Sequence, residues 1–446
     1  MSETMKKKTL MLGTHIHFIG VLGAGMLPLA TLLINRGYRV SGSDRREPLC
    51  SMPQGLEFWQ GHEPQRIPPD ALCVYSLAVP EDDAEYAFAA ARGQTLISRP
   101  RLLGMLATEY AVSVGIAGSH GKSTVTAMLS RLLADLSPTV LCGAEIGEHG
   151  FVRGDDNLLV YEACEYRDAF LDTHPTVAIL LNLELDHTDY FPDIHALEHS
   201  FAGFSASAAM TVYNADDERL CRIMHDAEEN TVSFGASAFA DYRYEILGVG
   251  DATRFVVYRR GDLLGNFTLH IPGSFNLKNA LAAIALAAEL GVPVDSIEQS
   301  LAAFRGIPRR LEIIGTLSGY PVIYDYAHHP TEIAAGIDAI RAMGNDGVTV
   351  VFRPHTYTRT ASLWNDFVRA LRRADRVILL DVFAAREEAI AGVDSRNLAV
   401  AIGDRALYAR SDAEAALMIF EQPPRATVLM GAGDLDGVKR ILSKNY

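Results

Sequence analysis

Residues 112–136 read "VSVGIAGSHGKSTVTAMLSRLLADL" and place a glycine-rich turn between an apolar run and an amphipathic segment. The apolar run predicts a buried strand, and the spacing of apolar residues after the turn predicts a helix. Backbone amides at the start of such a helix bind phosphate, and Lys122 can reach the outer phosphates of a nucleotide. The Ser123 hydroxyl can bind magnesium. The stretch therefore predicts an α/β fold with a phosphate loop.

The loop departs from the general phosphate-loop pattern G-x-x-x-x-G-K-[ST] because Ile116 stands where that pattern has glycine. The alternative is a Gly-Lys-Ser triplet that falls at a helix start by chance. A strand and a helix in register on either side argue against chance. Nucleotide-dependent pumps, kinases, molecular switches and ligases all contain such loops. The function must therefore be inferred from the rest of the sequence.

The chain has 446 residues, of which 49% are hydrophobic and 21% are charged, as in a globular protein. At about 100–200 residues per domain this length fits two to four domains, and we expect three. No run of about 18 apolar residues is present. The start "MSETMKKKTLMLGTH" has too few apolar residues for a signal-peptide core. We therefore expect a cytoplasmic protein without membrane insertion.

The formal net charge is -15 at pH 7. A surface of this sign repels polyanions, which argues against a nucleic-acid partner or an anionic membrane. The cysteines are far apart and form no C-x-x-C pair, so neither a zinc ribbon nor a disulfide framework is indicated. They are Cys50, Cys73, Cys142, Cys164 and Cys221. An anionic substrate must be held by local charge and by backbone amides.

A βαβ unit is predicted over residues 15–44, "HIHFIGVLGAGMLPLATLLINRGYRVSGSD". Gly20, Gly23 and Gly25 can let the backbone approach a pyrophosphate at a helix N-terminus. Asp44 follows Gly25 by 19 residues, where a ribose-binding carboxylate is expected.

A nicotinamide enzyme is the rival interpretation of this unit. Its fingerprint is imperfect here, since the spacing is G-x-x-G-x-G and a frame started at Gly23 puts Pro28 at the third glycine position. Glycines that serve only a tight strand-to-helix turn are the other alternative.

Two further predicted strands of the middle segment end in polar residues: Glu162 and Glu165 on one, Asn182, Glu184, Asp186 and His187 on the other. Open α/β sheets bind ligands at the carboxyl ends of their strands, so Glu162 and His187 can reach a magnesium ion on nucleotide phosphates. A solvated acidic loop is the alternative for any single carboxylate. Asn276 and Asn279 lie in the first turns of an alanine-rich helix, where asparagines are usually caps.

The third segment again alternates strands and helices, with polar clusters at strand ends: Asp325, His328 and His329, then His355 and Arg359. Adjacent histidines in a strand point to opposite faces, so the pair "HH" alone does not indicate a metal site.

Eight motifs follow one another along nearly the whole chain: "GVLGAGM" with "SGSD", "GSHGKST", "NLELDHTDYF", "GSFNLKNALAA", "FRGIPRRLE", "DYAHHPTE", "PHTYTRT" and "GAGD". In this order they resemble the Mur ligase family of peptidoglycan synthesis. The phosphate loop of that family has an aliphatic residue where the general pattern has glycine, so Ile116 supports the resemblance. The resemblance implies three α/β domains: a Rossmann-like UDP-sugar domain at 1–108, a P-loop ATPase-like domain at 109–308 and a Rossmann-like domain at 309–446.

The resemblance also implies three sets of binding residues. The UDP-sugar set is Gly20, Gly23, Ala24, Gly25, Met26, Asp44 and Ser76. The ATP set is Gly118, Ser119, His120, Gly121, Lys122, Ser123, Thr124, Asn276, Asn279, Arg310 and Asp325. The Mg²⁺ set is Ser123, Glu162 and His187. Within the ATP set, the asparagines lie near the adenine and Asp325 binds the ribose.

The activity implied is ATP-dependent attachment of L-alanine to the lactyl carboxylate of UDP-N-acetylmuramate through an acyl phosphate. Lys122, His328 and Arg359 are the implied catalytic residues, the last two beside the incoming amino acid. His328 can serve as the base for the ammonium or stabilise charge, and sequence leaves both roles open. Closure of the third domain is expected, with a hinge at residues 306–310.

The chain departs from the family at three positions. Phe275 stands in place of a histidine, Leu27 in place of a serine, and Thr356 in place of an arginine beside the amino-acid pocket. Two other hypotheses remain open: within the family, a recycling ligase that attaches a tripeptide to the same sugar nucleotide, and from a different class, an inactive sensor that binds the UDP-sugar. Intact Lys122 and Ser123 argue against the sensor.

Overall fold

A computed structural model describes residues 11, 13–48, 51–225, 230–385, 387–433 and 435–444. Within these ranges the chain forms three sheets, each covered by helices, which confirms the α/β fold class. In this part of the chain no helix is long and apolar enough to cross a membrane. Cys73, Cys142, Cys164 and Cys221 are free thiols. Cys50 lies outside the described residues.

The N-terminal sheet contains β1 (His15–Ile19), β2 (Arg39–Asp44), β3 (Leu56–Gln60), β4 (Leu72–Tyr75) and β5 (Leu96–Ser98). Its helices are α1 (Leu27–Asn35), α2 (Ala84–Ala91) and α3 (Arg99–Ala107), with a 3-10 turn at Pro64–Arg66. The strands are parallel in the order β3-β2-β1-β4-β5. Strand β1 is buried along its whole length, as a central strand covered on both faces must be. Pro28 lies in the first turn of α1, where a missing N–H costs nothing.

The middle sheet contains β6 (Val112–Ala117), β7 (Thr139–Leu141), β8 (Phe151–Val152), β9 (Leu158–Glu162), β10 (Val177–Leu180), β11 (Met210–Asn214), β12 (Thr231–Gly235), β13 (Tyr242–Val249), β14 (Thr253–Arg259) and β15 (Asp262–Leu269). Its helices are α4 (Lys122–Leu132), α5 (Ile194–Ala206), α6 (Glu218–His225), α7 (Ser274–Glu289) and α8 (Val294–Ala303), with 3-10 turns at Ala134–Leu136 and Tyr166–Asp172. The order is β15-β14-β13-β12-β11-β10-β6-β9-β7-β8, and β13–β15 form an antiparallel meander. Helix α7 is buried around its alanine-rich length, so it lies inside the domain core.

The C-terminal sheet contains β16 (Glu312–Leu317), β17 (Tyr320–Asp325), β18 (Val348–Phe352), β19 (Arg376–Leu379), β20 (Ala406–Tyr408) and β21 (Ala426–Met430). Its helices are α9 (Pro330–Ala342), α10 (Tyr357–Ser362), α11 (Trp364–Leu371), α12 (Ser395–Ile402), α13 (Asp412–Glu421) and α14 (Asp436–Ser443). The order is β16-β17-β21-β18-β19-β20, parallel except for β16. The loops after β6, β9, β10, β17 and β18 carry the polar side chains described next.

The N-terminal and middle sheets share one hydrophobic core. Phe18 of β1 and Leu102 of α3 belong to the same buried cluster as Phe201 and Phe204 of α5. Helix α3 also packs closely on the 3-10 turn, since a Cβ on Gly104 would lie 2.0 Å from the Asp172 carbonyl oxygen. A boundary near residue 108 therefore joins two units that are packed together, and its position stays a prediction.

Candidate active site

The phosphate loop joins β6 to α4 and needs two of its glycines. Gly118 has φ +148 and Gly121 has φ +90, a region that favours glycine. A Cβ on Gly121 would lie 2.6 Å from the side-chain oxygen of Asn279. The backbone N–H of His120 donates to the Asn182 side chain at 2.8 Å. The loop is thus fixed between α7 and the end of β10.

Lys122 opens helix α4 and is held by Glu165. Its ammonium lies 2.9 Å and 3.1 Å from the two carboxylate oxygens of Glu165, which is only 2% exposed. Although burial favours the neutral amine, Glu165 raises the pKa of Lys122 above its ordinary value. The loop therefore carries a fixed positive charge.

The predicted magnesium residues lie around this lysine. Glu162 accepts hydrogen bonds from the Gly143 N–H and from the Cys142 thiol, 3.1 Å away. The same thiol lies 3.7 Å from the carbonyl oxygen of Ser123, so Ser123 and Glu162 are neighbours. His187 lies near the same lysine through Glu165, with Nε2 3.9 Å from a Glu165 oxygen. The structure thus places the three candidate ligands around one loop end.

A cavity of about 530 Å³ lies between the middle and C-terminal sheets. Predicted ATP-binding residues from both units line it: Asn276 and Asn279 from α7, and Arg310 and Asp325 from the C-terminal unit. The asparagines do not cap the N–H groups of α7, because Asn276 donates to the Pro272 carbonyl and Asn279 donates to Asn276. The helix N-cap is a glycine, so the cap interpretation is wrong.

Asp325 ends strand β17 inside this cavity and is 6% exposed. Burial raises the pKa of Asp325 to about 7; Arg310 opposes this shift and Glu332 adds to it. A carboxyl group with this pKa changes its charge near neutral pH.

The Asp325→Asn variant should lose part of the pH dependence of stability. The ordinary pKa of 3.8 lies below the folded-state pKa of about 7, so the folded protein retains a proton that the unfolded chain releases. The stabilisation is full below pH 4 and falls by up to about 1.4 kcal/mol per pH unit until pH 7. Urea unfolding of the wild type and of Asp325→Asn from pH 5 to pH 8 measures the free energy of unfolding of each protein. If the difference in stability between the wild type and Asp325→Asn does not change between pH 5 and pH 7, the raised pKa of Asp325 is contradicted.

His328 and His329 lie in the loop between the end of β17 and α9, as expected for a polar cluster at a strand end. The Nδ1–H of His328 donates to the Tyr326 carbonyl at 3.0 Å, which leaves Nε2 as an acceptor. Burial lowers the pKa of His328 to about 4; Glu332 opposes this shift and Arg359 adds to it. His328 is therefore neutral at neutral pH and able to accept a proton.

Arg359 of α10 forms a two-point ion pair with Asp186, which follows β10. Its Nε and one terminal nitrogen lie 3.0 Å and 3.1 Å from the two Asp186 oxygens. Burial favours the neutral acid, yet Arg359 lowers the pKa of Asp186 below its ordinary value. The other terminal nitrogen lies 3.2 Å from Nδ1 of His355. The pair joins the middle and C-terminal units beside His328.

The predicted UDP-sugar residues surround the first glycine turn. Gly20, Gly23, Ala24, Gly25 and Met26 form the turn between β1 and α1. Ser76 lies in the loop after β4, at the same edge of the sheet. The Asp44 carboxylate accepts from the Leu22 N–H at 3.0 Å and from Arg46. Part of its role is therefore to hold the turn itself.

Three sets of matches relate this chain to known proteins. The family described as "Mur ligase family, catalytic domain" matches residues 15–111, the "Mur ligase middle domain" matches 116–287, and the "Mur ligase, glutamate ligase domain" matches 309–433. A UDP-N-acetylmuramate–L-alanine ligase of Clostridium acetobutylicum is 38% identical and covers 87% of each chain. One of Clostridium perfringens is 35% identical over 96% of this chain and 97% of that protein.

The chain belongs to the Mur ligase family. Its resemblance to that family, inferred from the eight motifs, is confirmed. The solved UDP-N-acetylmuramate-alanine ligase MurC of Thermotoga maritima has a TM-score of 0.80 at 26% identity and covers 96% of this chain and 99% of that one. A murein peptide ligase of Psychrobacter arcticus shares the fold, with a TM-score of 0.72 at 23% identity, over 97% and 98%. As a Mur ligase, the chain uses ATP.

Two side chains of this Mur ligase were missed by sequence reasoning. One is Arg99, the first residue of α3: its guanidinium would lie 2.7 Å from a Cβ on Gly25, so it packs against the glycine turn. The other is Glu332, which binds the backbone N–H groups of His328 and His329. An arginine after a short strand and a glutamate in a helix carry no local signal of these contacts. A capping-box search at "HPTE" finds Glu332 only if histidine is admitted as the cap.

Proposed function

We propose that this chain attaches L-alanine to the lactyl carboxylate of UDP-N-acetylmuramate, with conversion of ATP to ADP and phosphate, in peptidoglycan precursor synthesis. The observation that carries the proposal is that the phosphate loop, His328 and Arg359 lie at one domain junction. His120 of the loop and His328 both pair with Glu332, at 3.2 Å and 3.3 Å. His187 lies 3.9 Å from Glu165, the partner of Lys122, and 3.9 Å from Asp186, the partner of Arg359. Near-full-length relatives bearing the name UDP-N-acetylmuramate–L-alanine ligase support it. The proposal places the reaction in the cytoplasm, where ATP is available.

The first step forms an acyl phosphate. The lactate carboxylate attacks the γ-phosphorus of ATP, and ADP leaves. Positioning and charge neutralisation carry most of such a step. Lys122, which Glu165 keeps protonated, and the backbone amides of the loop offset the charge of the transferring phosphoryl group.

The second step forms the amide. The amine of L-alanine attacks the acyl carbonyl, and phosphate leaves with the electrons of the broken C–O bond. The ammonium must lose a proton before it attacks, and Nε2 of His328 is free to accept one. Its low pKa makes His328 a weak base, so positioning of the amine is an equally good role for it.

Three domains with the boundaries 1–108, 109–308 and 309–446 would bring the sugar nucleotide, ATP and amino acid together. We place the hinge at residues 306–310, where Gly306 has φ +93 and Arg309 has φ +59. The chain there connects α8 to β16 without regular structure. Closure would exclude water, which otherwise hydrolyses an acyl phosphate.

Ser123, Glu162 and His187 would hold Mg²⁺ on the ATP phosphates. A hydroxyl and a carboxylate fit the oxygen preference of this ion, and an imidazole is a less frequent ligand. Bound there, Mg²⁺ supplies charge neutralisation at the β- and γ-phosphates. The clustering of these side chains around the loop supports the assignment.

Replacing a magnesium ligand should raise the metal requirement of the reaction. Glu162→Ala and His187→Ala each remove one ligand, so we expect roughly tenfold or more Mg²⁺ to be needed for half-maximal ADP release. A magnesium titration at fixed ATP measures this, with exposed Glu145→Ala as the matched control. Unchanged titrations in both ligand variants would rule out the assignment.

ADP release tests the proposed function. Purified protein with ATP, Mg²⁺ and UDP-N-acetylmuramate should release ADP only after an amino acid is added, with L-alanine better than glycine or L-serine. One methylene or hydroxyl is discriminated by only about 1–3 kcal/mol, so weak activity with both analogues is expected. ADP release that does not depend on any amine would refute the ligase assignment.

A further inference from the structure

A cluster of two histidines and a glutamate shares no residue with the proposed magnesium set. His120 of the phosphate loop, Glu184 after β10 and His329 before α9 each offer one ligand atom, and these atoms lie within 4.8 Å of one another. Nε2 of His120 is 3.1 Å from a Glu184 oxygen, and Nδ1 of His329 is 3.4 Å from the same oxygen. Among the described residues this is the one group of three or more His, Cys, Asp or Glu side chains with such spacing.

The spacing fits a tetrahedral ion. With bonds of about 2.0–2.1 Å, tetrahedral zinc has ligand atoms about 3.3–3.4 Å apart. The two measured edges, 3.1 Å and 3.4 Å, are close to that value. Two imidazoles and one carboxylate suit Zn²⁺ and similar ions, whereas Mg²⁺ prefers oxygen ligands. These three side chains therefore favour an ion of the zinc class over the Mg²⁺ that accompanies ATP.

The surroundings of His120 match those of a metal-bound histidine. Its Nδ1 lies 3.2 Å from Glu332, and Glu332 in turn lies 3.7 Å from Arg310. A carboxylate on the second ring nitrogen orients a ligating histidine and raises its basicity. The ligand atom of His329 is Nδ1, which makes only a long bond of 3.3 Å with the Thr331 N–H that a bound ion would replace. Its Nε2 is buried without a hydrogen-bond partner among the described residues.

We propose that His120, Glu184 and His329 bind a divalent transition ion of the zinc class, and that the bound ion ties the phosphate loop to the C-terminal domain. His120 and Glu184 belong to the middle unit, and His329 is the N-cap of α9 in the C-terminal unit. An ion bonded to all three bridges two units that must separate to release ADP. Zn²⁺ should therefore inhibit turnover at saturating Mg²⁺, a consequence that rests on the proposed function.

Calorimetric titration of the metal-free protein with Zn²⁺ tests the site without any substrate. We expect one high-affinity Zn²⁺ per chain. Co²⁺ in place of Zn²⁺ should give the visible spectrum of a tetrahedral site.

His329→Asn is the decisive variant, because asparagine keeps the N-cap of α9 and removes the imidazole. It should lose high-affinity Zn²⁺ binding, and Glu332→Gln should weaken it about 10–100-fold. The exposed His195→Ala is the matched histidine control and should bind as the wild type does. Should His329→Asn fail to fold, Glu184→Gln carries the same expectation.

Equal Zn²⁺ affinity in the wild type and His329→Asn, or no binding by the wild type, would overturn the site. Inhibition of ADP release by Zn²⁺ should disappear in His329→Asn at the same ion concentration. Binding without inhibition would overturn the bridging consequence alone. Because the titration uses no substrate, failure of the site and failure of the ligase assignment are distinguishable.

Discussion

Lys122→Ala should reduce ATP turnover by about 10³-fold while UDP-sugar binding stays close to that of the wild type. Lys122 supplies the fixed positive charge of the phosphate loop. The glycine turn proposed to bind the UDP-sugar belongs to the N-terminal unit and does not include Lys122. Steady-state ADP release measures the loss, and calorimetry with UDP-N-acetylmuramate measures binding. Wild-type ADP release by the variant would refute the role of Lys122.

Loss of Lys122 also leaves Glu165 buried without its partner, which can cost about 3–5 kcal/mol of stability. The double variant Lys122→Met/Glu165→Gln removes both charges and should recover most of that stability without recovering turnover. Lys278→Ala is the matched control: this lysine lines the cavity between the middle and C-terminal sheets, is 38% exposed and pairs with Asp216. We expect its turnover to stay within a few-fold of the wild type, as for an exposed ion pair. Turnover restored in the double variant would mean that Lys122 acts only through stability.

Arg359→Ala should raise the KM for L-alanine by about 100-fold and that for ATP far less. Thr356 stands where the family resemblance implies an arginine beside the amino-acid pocket, so the proposed function makes Arg359 the expected partner of the L-alanine carboxylate. A lost charge-assisted pair of about 2.7 kcal/mol corresponds to that factor. Steady-state kinetics measures both KM values. A rise in the KM for L-alanine that is much larger than the rise in the KM for ATP identifies L-alanine as the substrate that Arg359 binds.

The ion pair with Asp186 provides the control for Arg359. Arg359→Ala leaves the buried Asp186 carboxylate without its ion-pair partner. Part of the rise in KM can therefore come from a local change in structure and not from the lost contact with L-alanine. The double variant Arg359→Ala/Asp186→Asn removes that carboxylate, and a high KM for L-alanine should persist. Return of the KM to the wild-type value would show that Arg359 only positions Asp186. Arg359→Lys should restore little, since an ammonium cannot make the two-point contact.

The phosphate loop could be predicted because its signals are local. The apolar run became β6, the amphipathic segment became α4, and Gly121 has the positive φ that its turn requires. The family followed from motif order, since each motif reflects one strand end or helix start. The meander β13–β15 was not predicted. The exposure of β13 does not alternate regularly, so its sequence gives a weak strand signal.

The partners of the site residues could not be predicted because the fold brings them from distant positions. Glu165 lies 43 residues after the lysine it binds, and Asp186 lies 173 residues before Arg359. The pair "HH" alone does not indicate a metal site, whereas the position of His329 before α9 brings its ring centroid to 5.0 Å from that of His120. Sequence identifies the chemical groups at strand ends, and tertiary packing decides which of them pair.

The choice of amine tests the central claim most directly. Purified protein is given ATP, Mg²⁺, UDP-N-acetylmuramate and equal concentrations of L-alanine and the tripeptide L-alanyl-γ-D-glutamyl-meso-diaminopimelate. Mass spectrometry then identifies the sugar-nucleotide product. We predict the L-alanyl adduct, formed in equal amount to ADP, with no tripeptide adduct above background. A product dominated by the tripeptide adduct would contradict the claim and leave only membership of the Mur ligase family.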